Sequence, residues 1–94
     1  MKTTKVIFRV FPEGDVISLF PEVAGDGNPG TCSSYQHMGQ HGAADLLGLT
    51  HALRKATRRE YAPLASELKR IGYKLKVISR VQPGMLATRK AQLK

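Results

Sequence analysis

The chain lacks tryptophan, has a single cysteine and contains no long hydrophobic run. One cysteine cannot form an internal disulfide, which fits a reducing cytoplasm. A membrane-spanning helix needs about 20 consecutive apolar residues, and no run approaches that length. Arg9 also interrupts the apolar run 6–11 that a signal peptide would need. We therefore expect a cytoplasmic protein without a membrane partner.

The short chain limits the possible architecture. Ninety-four residues make one domain, and a domain of this size buries about 60–65% of its unfolded surface, which leaves room for one sheet and one or two helices. A deep enclosed active site is therefore not expected. The apolar residues, 41% of the total, fall in short periodic clusters, and this distinguishes the chain from a disordered one.

Two alternating runs near the N-terminus predict a β-hairpin. Residues 5–11 alternate as a half-buried strand does. The predicted inner face is Val6, Phe8 and Val10, and the outer face is Lys5, Ile7 and Arg9. A turn over residues 12–15 connects to a second strand over 16–20, which Pro21 ends. Three glycines and a proline then predict a mobile loop over 22–31.

Two further strands are predicted later in the chain. Residues 34–41 alternate and predict a third strand, in which Gly39 indicates a bulge or the close approach of another backbone. Residues 73–81 predict a fourth strand with a basic outer face, ended by Gln82, Pro83 and Gly84.

Capping residues predict two helices. Asp45 is expected to begin a short helix that runs to about residue 55. Thr57 and Glu60 have the spacing of a capping box, which predicts a main helix over 57–71 with its C-cap at Gly72. Pro63 is expected to kink or loosen the start of that helix.

These elements predict a single α+β domain over residues 1–82. Its sheet has four mainly antiparallel strands in the order β-β-β-(short α)-α-β, with the main helix packed on one face. The predicted core is Val6, Phe8, Val10, Leu64, Leu68, Ile71, Leu75 and Val77. The basic tail 83–94 is expected to be disordered, a frayed helix or a partner-binding arm. A homodimer would use the uncovered sheet face or the edge of strand one or three.

Residues 32–45 hold the side chains with metal-binding or catalytic chemistry. Cys32, His37 and His41 offer donor atoms that zinc prefers. On an extended strand, however, the two histidines lie about 13 Å apart, so histidines that hydrogen-bond within the sheet or at its rim are favoured. Cys32 with His37, His41 or His51, oriented by Asp45, is the possible nucleophile pair, but no spacing fixes its geometry.

Positive charge is concentrated in the second half of the chain. Residues 1–53 carry three positive and five negative side chains, a net of −2, and residues 54–94 carry twelve and two, a net of +10. Such asymmetry favours nucleic acid or an acidic protein as a partner, and the alternative is a solvated surface that keeps the domain soluble. The candidate binding residues are Arg54, Lys55, Arg58, Arg59, Lys74, Lys76 and Arg80.

Three blocks of the chain resemble a family of short bacterial proteins encoded by phages, plasmids and chromosomes. The blocks are GDVISLFPE at 14–22, SYQHMGQHG at 34–42 and ATRREYAPLASELKRIGYKLKV at 56–77. That family has no assigned activity, ligand or catalytic residue. The resemblance therefore implies a cytoplasmic setting, with the gene on a mobile element, and assigns no functional residue.

The sequence leaves the function open between two classes. The leading hypothesis is a small, basic, non-enzymatic binding module without a cofactor, whose partner is nucleic acid or an acidic protein. The alternative is a small metal- or thiol-dependent enzyme centred on Cys32, His37 and His41.

Overall fold

The described part of the chain forms a single sheet of six strands, which three helices accompany. The computed structural model describes residues 3–36 and 40–93. The strands are β1 (Thr4–Val10), β2 (Val16–Ala24), β3 (Thr31–Gln36), β4 (Gln40–Asp45), β5 (Arg54–Lys55) and β6 (Leu75–Ile78), and the helices are α1 (Leu46–Ala52), α2 (Arg58–Ile71) and α3 (Met85–Ala91). The domain is α+β as predicted, but it has six strands instead of four.

Strand β1 lies inside the sheet, whose order is β4-β3-β2-β1-β5. One edge of β1 pairs antiparallel with β2. The other edge is shared, because β6 runs parallel to β1 from Thr4 to Ile7 and β5 runs antiparallel to it at Arg9 and Val10. The sheet is thus mainly antiparallel. The expectation that strand one has a free edge is wrong, because both of its edges are paired.

Both faces of the sheet are covered. On one face lies the first cluster, whose buried members are Val6, Phe8, Phe20 and Tyr35 of the sheet and Leu64, Ala65 and Leu68 of α2. On the other face lies the second cluster, whose buried members are Ile7, Ile17, Leu19, Cys32, Ala44 and Leu46. The prediction that Ile7 and Arg9 face solvent is wrong, since they are 0% and 3% exposed. A strand covered on both faces is a near-continuous apolar run, and β1 has that character.

Helix α3 occupies the segment for which disorder, a frayed helix and a binding arm were the alternatives. It packs against β2, and its buried residues are Met85 and Arg89. The Arg89 guanidinium donates to the carbonyl oxygen of Pro21 at 2.7 Å. Val81, which precedes α3, packs against the second cluster. In residues 3–36 and 40–93, no helix is long and apolar enough to cross a membrane.

Two predicted strand boundaries differ from the structure. Strand β2 continues through Pro21 to Ala24, although Pro21 was expected to end it. Its pairing with β3 shifts register between Phe20 and Ala24, and such an irregularity accommodates a residue that has no N–H to donate. The predicted fourth strand, 73–81, is shorter, since β6 covers only Leu75–Ile78.

The predicted third strand, 34–41, corresponds to parts of two strands. β3 and β4 pair antiparallel, with Tyr35 opposite His41 and Gln36 opposite Gln40. The bulge expected at Gly39 lies outside the described residues. β4 has no strand partner on its other side in the described chain, so it forms one edge of the sheet.

The helix caps follow the sequence closely. The Asp45 carboxylate accepts a hydrogen bond from Gly48 N at 3.2 Å and begins α1. That helix ends at Ala52, before the predicted residue 55, because Arg54 and Lys55 pair with β1. The capping box of α2 is present, and its C-cap Gly72 has a φ of 127°, a left-handed conformation that glycine adopts without strain.

The buried stripe of α2 is confirmed in its middle and wrong at its end. Leu64 and Leu68 are 6% and 0% exposed, whereas Ile71 is 51% exposed. Ile71 is the last residue of α2, so no further turn holds it over the sheet. Val77 was also predicted in the core but is 44% exposed, because it faces an open groove at the sheet edge. Leu75 packs partly buried against the first cluster.

The orientation of α2 predicts that truncating Leu68 and truncating Ile71 to alanine have very different effects on stability. Leu68→Ala should lower the free energy of unfolding by about 2–5 kcal/mol, because it leaves a cavity in a fully buried site. Ile71→Ala removes a half-exposed side chain and should cost less than about 1 kcal/mol. Urea unfolding of both variants measures the difference, and equal losses would contradict the observed orientation of α2.

Candidate functional site

A groove of about 540 Å³ opens at the sheet edge beside β1. Pairing with β6 ends at Ile7 and pairing with β5 begins at Arg9, so the change from one strand to the other occurs at Phe8. Ala56 N donates to Phe8 O at 3.3 Å, which brings the start of α2 to the same place. The groove therefore lies where β5, β6 and α2 approach the middle of β1.

The polar lining of this groove is positively charged. Arg9, Lys55 and Arg58 line it together with Ser79 and Gln82, and none of the lining residues in the described chain is acidic. Lys55 and Arg58 come from the predicted patch, and both are exposed. The structure therefore brings two of the seven predicted cations together and adds a third, Arg9.

Arg9 is the most unusual member of the groove. The residue is 3% exposed. Its Nη2 donates to Ser79 O at 2.7 Å and its Nη1 donates to Phe8 O at 3.2 Å, while its Nε is buried without a hydrogen-bond partner in the described structure. Burial lowers the pKa of the Arg9 guanidinium. A buried cation is costly unless an opposite charge or hydrogen bonds compensate it.

Arg9 has no carboxylate partner in the described residues. The ion pairs found there join Lys5 to Glu22 and Arg54 to Glu60. Sequence reasoning missed Arg9 because strict alternation placed it on the solvent face. The signal that could have found it is the run Val-Ile-Phe-Arg-Val-Phe over 6–11, which is too apolar for a strand with one exposed face.

An aromatic pair forms the apolar wall of the groove. The rings of Phe8 and Tyr61 are stacked, with centroids 4.4 Å apart and planes 8° apart. Phe8 is buried in the first cluster and Tyr61 packs against it partly buried. The pair fixes the first turns of α2 against β1, and this places Arg58, the first residue of α2, at the wall of the groove.

Arg54, a predicted site residue, is neutralised by Glu60. Its Nη1 and Nη2 donate to the two carboxylate oxygens at 2.8 and 2.5 Å. Thr57 N also donates to Glu60, at 2.9 Å. The hydrogen bonds from Arg54 and then from Thr57 lower the pKa of Glu60 from 4.5 to about 2. Arg54 therefore stabilises the start of α2, and it does not line the groove.

The remaining predicted cations are distributed along the sheet edge. Lys74 and Lys76 are exposed at β6, and Lys76 is the register partner of Lys5 on β1. Arg59 is exposed in the first turn of α2. Arg80 lines a second cavity, of about 370 Å³, which Arg9 and the α1 residues Leu47, Thr50 and His51 also line. The predicted patch is therefore not one contiguous cluster.

The structure does not bring Cys32 and His41 together. Cys32 is fully buried in the second cluster, whereas His41 lies opposite Tyr35 of the first cluster and contacts its ring edge-on, with centroids 4.6 Å apart. The two side chains therefore lie on opposite faces of the sheet. His37 lies outside the described residues, and no group of three potential metal ligands occurs within the described ones.

The other candidates for the thiol or metal chemistry have separate positions. Asp45 caps α1, and His51 is exposed on the same helix. His41 is exposed near the sheet edge, where its Nε2 lies 3.4 Å from the hydroxyl of Tyr73. This position agrees with the interpretation of His41 as a histidine that hydrogen-bonds at the rim of the sheet.

No known protein family, curated protein or solved structure matches this chain. The blocks that resemble short bacterial proteins remain a sequence-based expectation. The chemistry of the groove must therefore be inferred from its own side chains.

The Glu60 network predicts a pH-dependent stability. A carboxylate whose pKa is lowered in the folded state stabilises the fold above its unfolded pKa, and the contribution is lost as the pH falls through the folded value. The free energy of unfolding should therefore decrease between about pH 5 and pH 2. Glu60→Gln should make this part of the pH profile shallower, whereas Glu13→Gln, an exposed control in the β1–β2 turn, should leave it unchanged. Urea unfolding at a series of pH values measures both, and parallel profiles for wild type and Glu60→Gln would contradict the network.

Burial predicts that Cys32 is unreactive in the folded protein. Desolvation raises the pKa of its thiol to about 11, so the nucleophilic thiolate is scarce at neutral pH. A disulfide reagent at pH 8 should therefore label Cys32 very slowly in native buffer and promptly in guanidinium chloride. Prompt labelling of the native protein would contradict the burial of Cys32 and revive a thiol-based activity.

Proposed function

We propose that this protein is a non-enzymatic module that binds nucleic acid through the phosphate backbone. The observation that supports the proposal is the groove beside β1, in which Arg9, Lys55 and Arg58 meet without an acidic residue among the described lining. Guanidinium groups match phosphate oxygens in geometry as well as charge. A partner rich in phosphates uses such a groove better than one with scattered carboxylates.

The row of basic residues along β1 and its partners β5 and β6 is long enough for several phosphates. Lys76 lies opposite Lys5, and Lys55 lies opposite Arg9, four positions further along β1. Four positions on a strand correspond to about 13 Å. The axial rise per phosphate of one nucleic-acid strand is about 3.4 Å, so this edge spans several nucleotides.

The bound strand would run along the side of the sheet that β5 and β6 form. Lys76 on β6 and Lys74 just before it contact backbone phosphates at one end, and Lys55 and Arg58 contact them at the groove. Phosphate contacts position a protein without reading the sequence. The proposed module therefore binds with little base preference, and its affinity is strongly dependent on salt.

Titration with single-stranded and duplex oligonucleotides between about 50 and 200 mM salt tests this function. Wild-type protein should bind, with an affinity that falls steeply as salt rises. Lys55→Glu with Arg58→Glu should weaken binding and reduce the slope of log affinity against log salt by about 2, because each residue contributes one phosphate contact. Fluorescence anisotropy measures both quantities.

The matched control is Lys69→Glu with Lys90→Glu, which makes the same change in net charge away from the groove. Both lysines are exposed, near the C-terminal ends of α2 and α3. The control should retain most of the affinity, once circular dichroism has shown that both variants are folded. No binding at about 50 mM salt would refute the function, and equal loss in the two variants would assign binding to net charge instead of the groove. If the protein binds acidic proteins but no nucleic acid, and its affinity depends only weakly on salt, the partner is an acidic protein.

A further inference from the structure

We propose that the groove beside β1 binds a phosphate monoester, as found at the end of a nucleic-acid chain, with Arg9 as its innermost ligand. This inference rests on the proposed function and specifies which phosphate the groove receives. It would make the protein a module that distinguishes a phosphorylated chain end from the interior of a strand.

The burial and the hydrogen bonds of Arg9 are the first support for this site. It is the groove residue that is both charged and almost fully buried, at 3% exposure. Two of its nitrogens donate to the carbonyl oxygens of Phe8 and Ser79, and Nε has no partner in the described structure. Nε itself is shielded from solvent. The hydrogen bonds from Nη1 and Nη2 hold the guanidinium in place and use two of its five N–H groups. The remaining N–H groups of Nη1 and Nη2 are the donors that a phosphate oxygen in the groove would meet.

The second step is the match of charge. A phosphate monoester carries about −1.5 to −2 at pH 7, whereas each internal phosphodiester carries one negative charge. The groove offers three cations, Arg9, Lys55 and Arg58, and no acidic lining residue in the part of the chain that the structure describes. Three cations around one site suit the more highly charged monoester.

The start of α2 adds to this field. The helix has 14 residues and begins at Arg58, which lines the groove. The positive end of a helix dipole favours an anion there. Glu60, the acidic residue of the first turn, is held by Arg54 and by Thr57 N. Its charge is therefore already compensated and opposes an incoming anion only weakly.

The third step is shape. Along β1 the groove is limited by β6, which pairs as far as Ile7, and by β5, which starts at Arg9. The hydrogen bond from Arg9 to Ser79 O joins the segment after β6 to β1 beside this opening. A continuous strand can lie along the outside of such a groove. A chain end can enter it and reach the buried guanidinium.

Two ligand pairs test the inference at constant ionic strength. Adenosine 5′-monophosphate is compared with adenosine, and a short single-stranded DNA with a 5′-phosphate is compared with the same DNA with a 5′-hydroxyl. Wild-type protein should bind the phosphorylated member of each pair at least about tenfold more tightly, as charge-assisted hydrogen bonds to one group allow. Calorimetry or anisotropy measures the ratios.

Three variants locate the effect. Arg9→Met keeps the apolar stem but removes the guanidinium and should abolish the preference for the phosphorylated ligands. Since Arg9 also anchors Ser79, this variant could fail to fold, so Lys55→Ala with Arg58→Ala provides the exposed alternative and should reduce the preference at least about tenfold. Lys69→Ala with Lys90→Ala loses the same charge elsewhere and should keep the wild-type ratio.

The outcomes separate the two proposals. If the DNAs bind equally well with and without the terminal phosphate, and adenosine 5′-monophosphate does not bind, the monoester site is wrong while the nucleic-acid function stands. If adenosine 5′-monophosphate binds and the preference is lost in the groove variants, but no DNA or RNA binds, the site stands and the function is wrong. A preference that is the same in wild type and the Lys55 and Arg58 variant refutes the assigned position.

Discussion

The structure depends on one strand that is hydrogen-bonded along both edges and covered on both faces. β1 is paired to β2 on one side and to β5 and β6 on the other. Successive residues of β1 point to opposite faces, so Ile7 belongs to the second cluster and Phe8 to the first. Helix α2 covers the first cluster and α1 covers the second. A change in the register of β1 would exchange the two sets of side chains, so the whole core specifies that register.

The groove follows from the same constraint. Two strands of opposite direction share one edge of β1, and β5 contributes only two residues to it. The chain must leave the sheet after Lys55 to begin α2 and again after Ile78, so the edge is interrupted at Phe8. Arg9 lies at that interruption, and its side chain is buried. Its guanidinium reaches the carbonyl oxygen of Ser79 because the neighbouring strand has already ended there.

Features determined by neighbouring residues could be predicted from the sequence, and features determined by distant pairing could not. The capping box of Thr57 and Glu60, the Asp45 cap and the Gly72 C-cap each involve residues within a few positions, and all three are present. The burial of Arg9 and the exposure of Val77 depend on which strand lies beside β1. Alternation within residues 5–11 gives two faces but does not show that a second helical layer covers the outer one. The candidate site was therefore predicted only for Lys55 and Arg58.

Charge counting fails for a related reason, because it gives every cation the same weight. Arg54 is neutralised by Glu60, while Lys74 and Lys76 are exposed to solvent, where salt screens a charge within about 8 Å at physiological ionic strength. A buried cation acts through a lower effective dielectric and is screened far less. In the site that we propose, the exposed lysines would control how readily an anion approaches the sheet edge. Arg9, which no carboxylate compensates in the described chain, would determine where that anion is held.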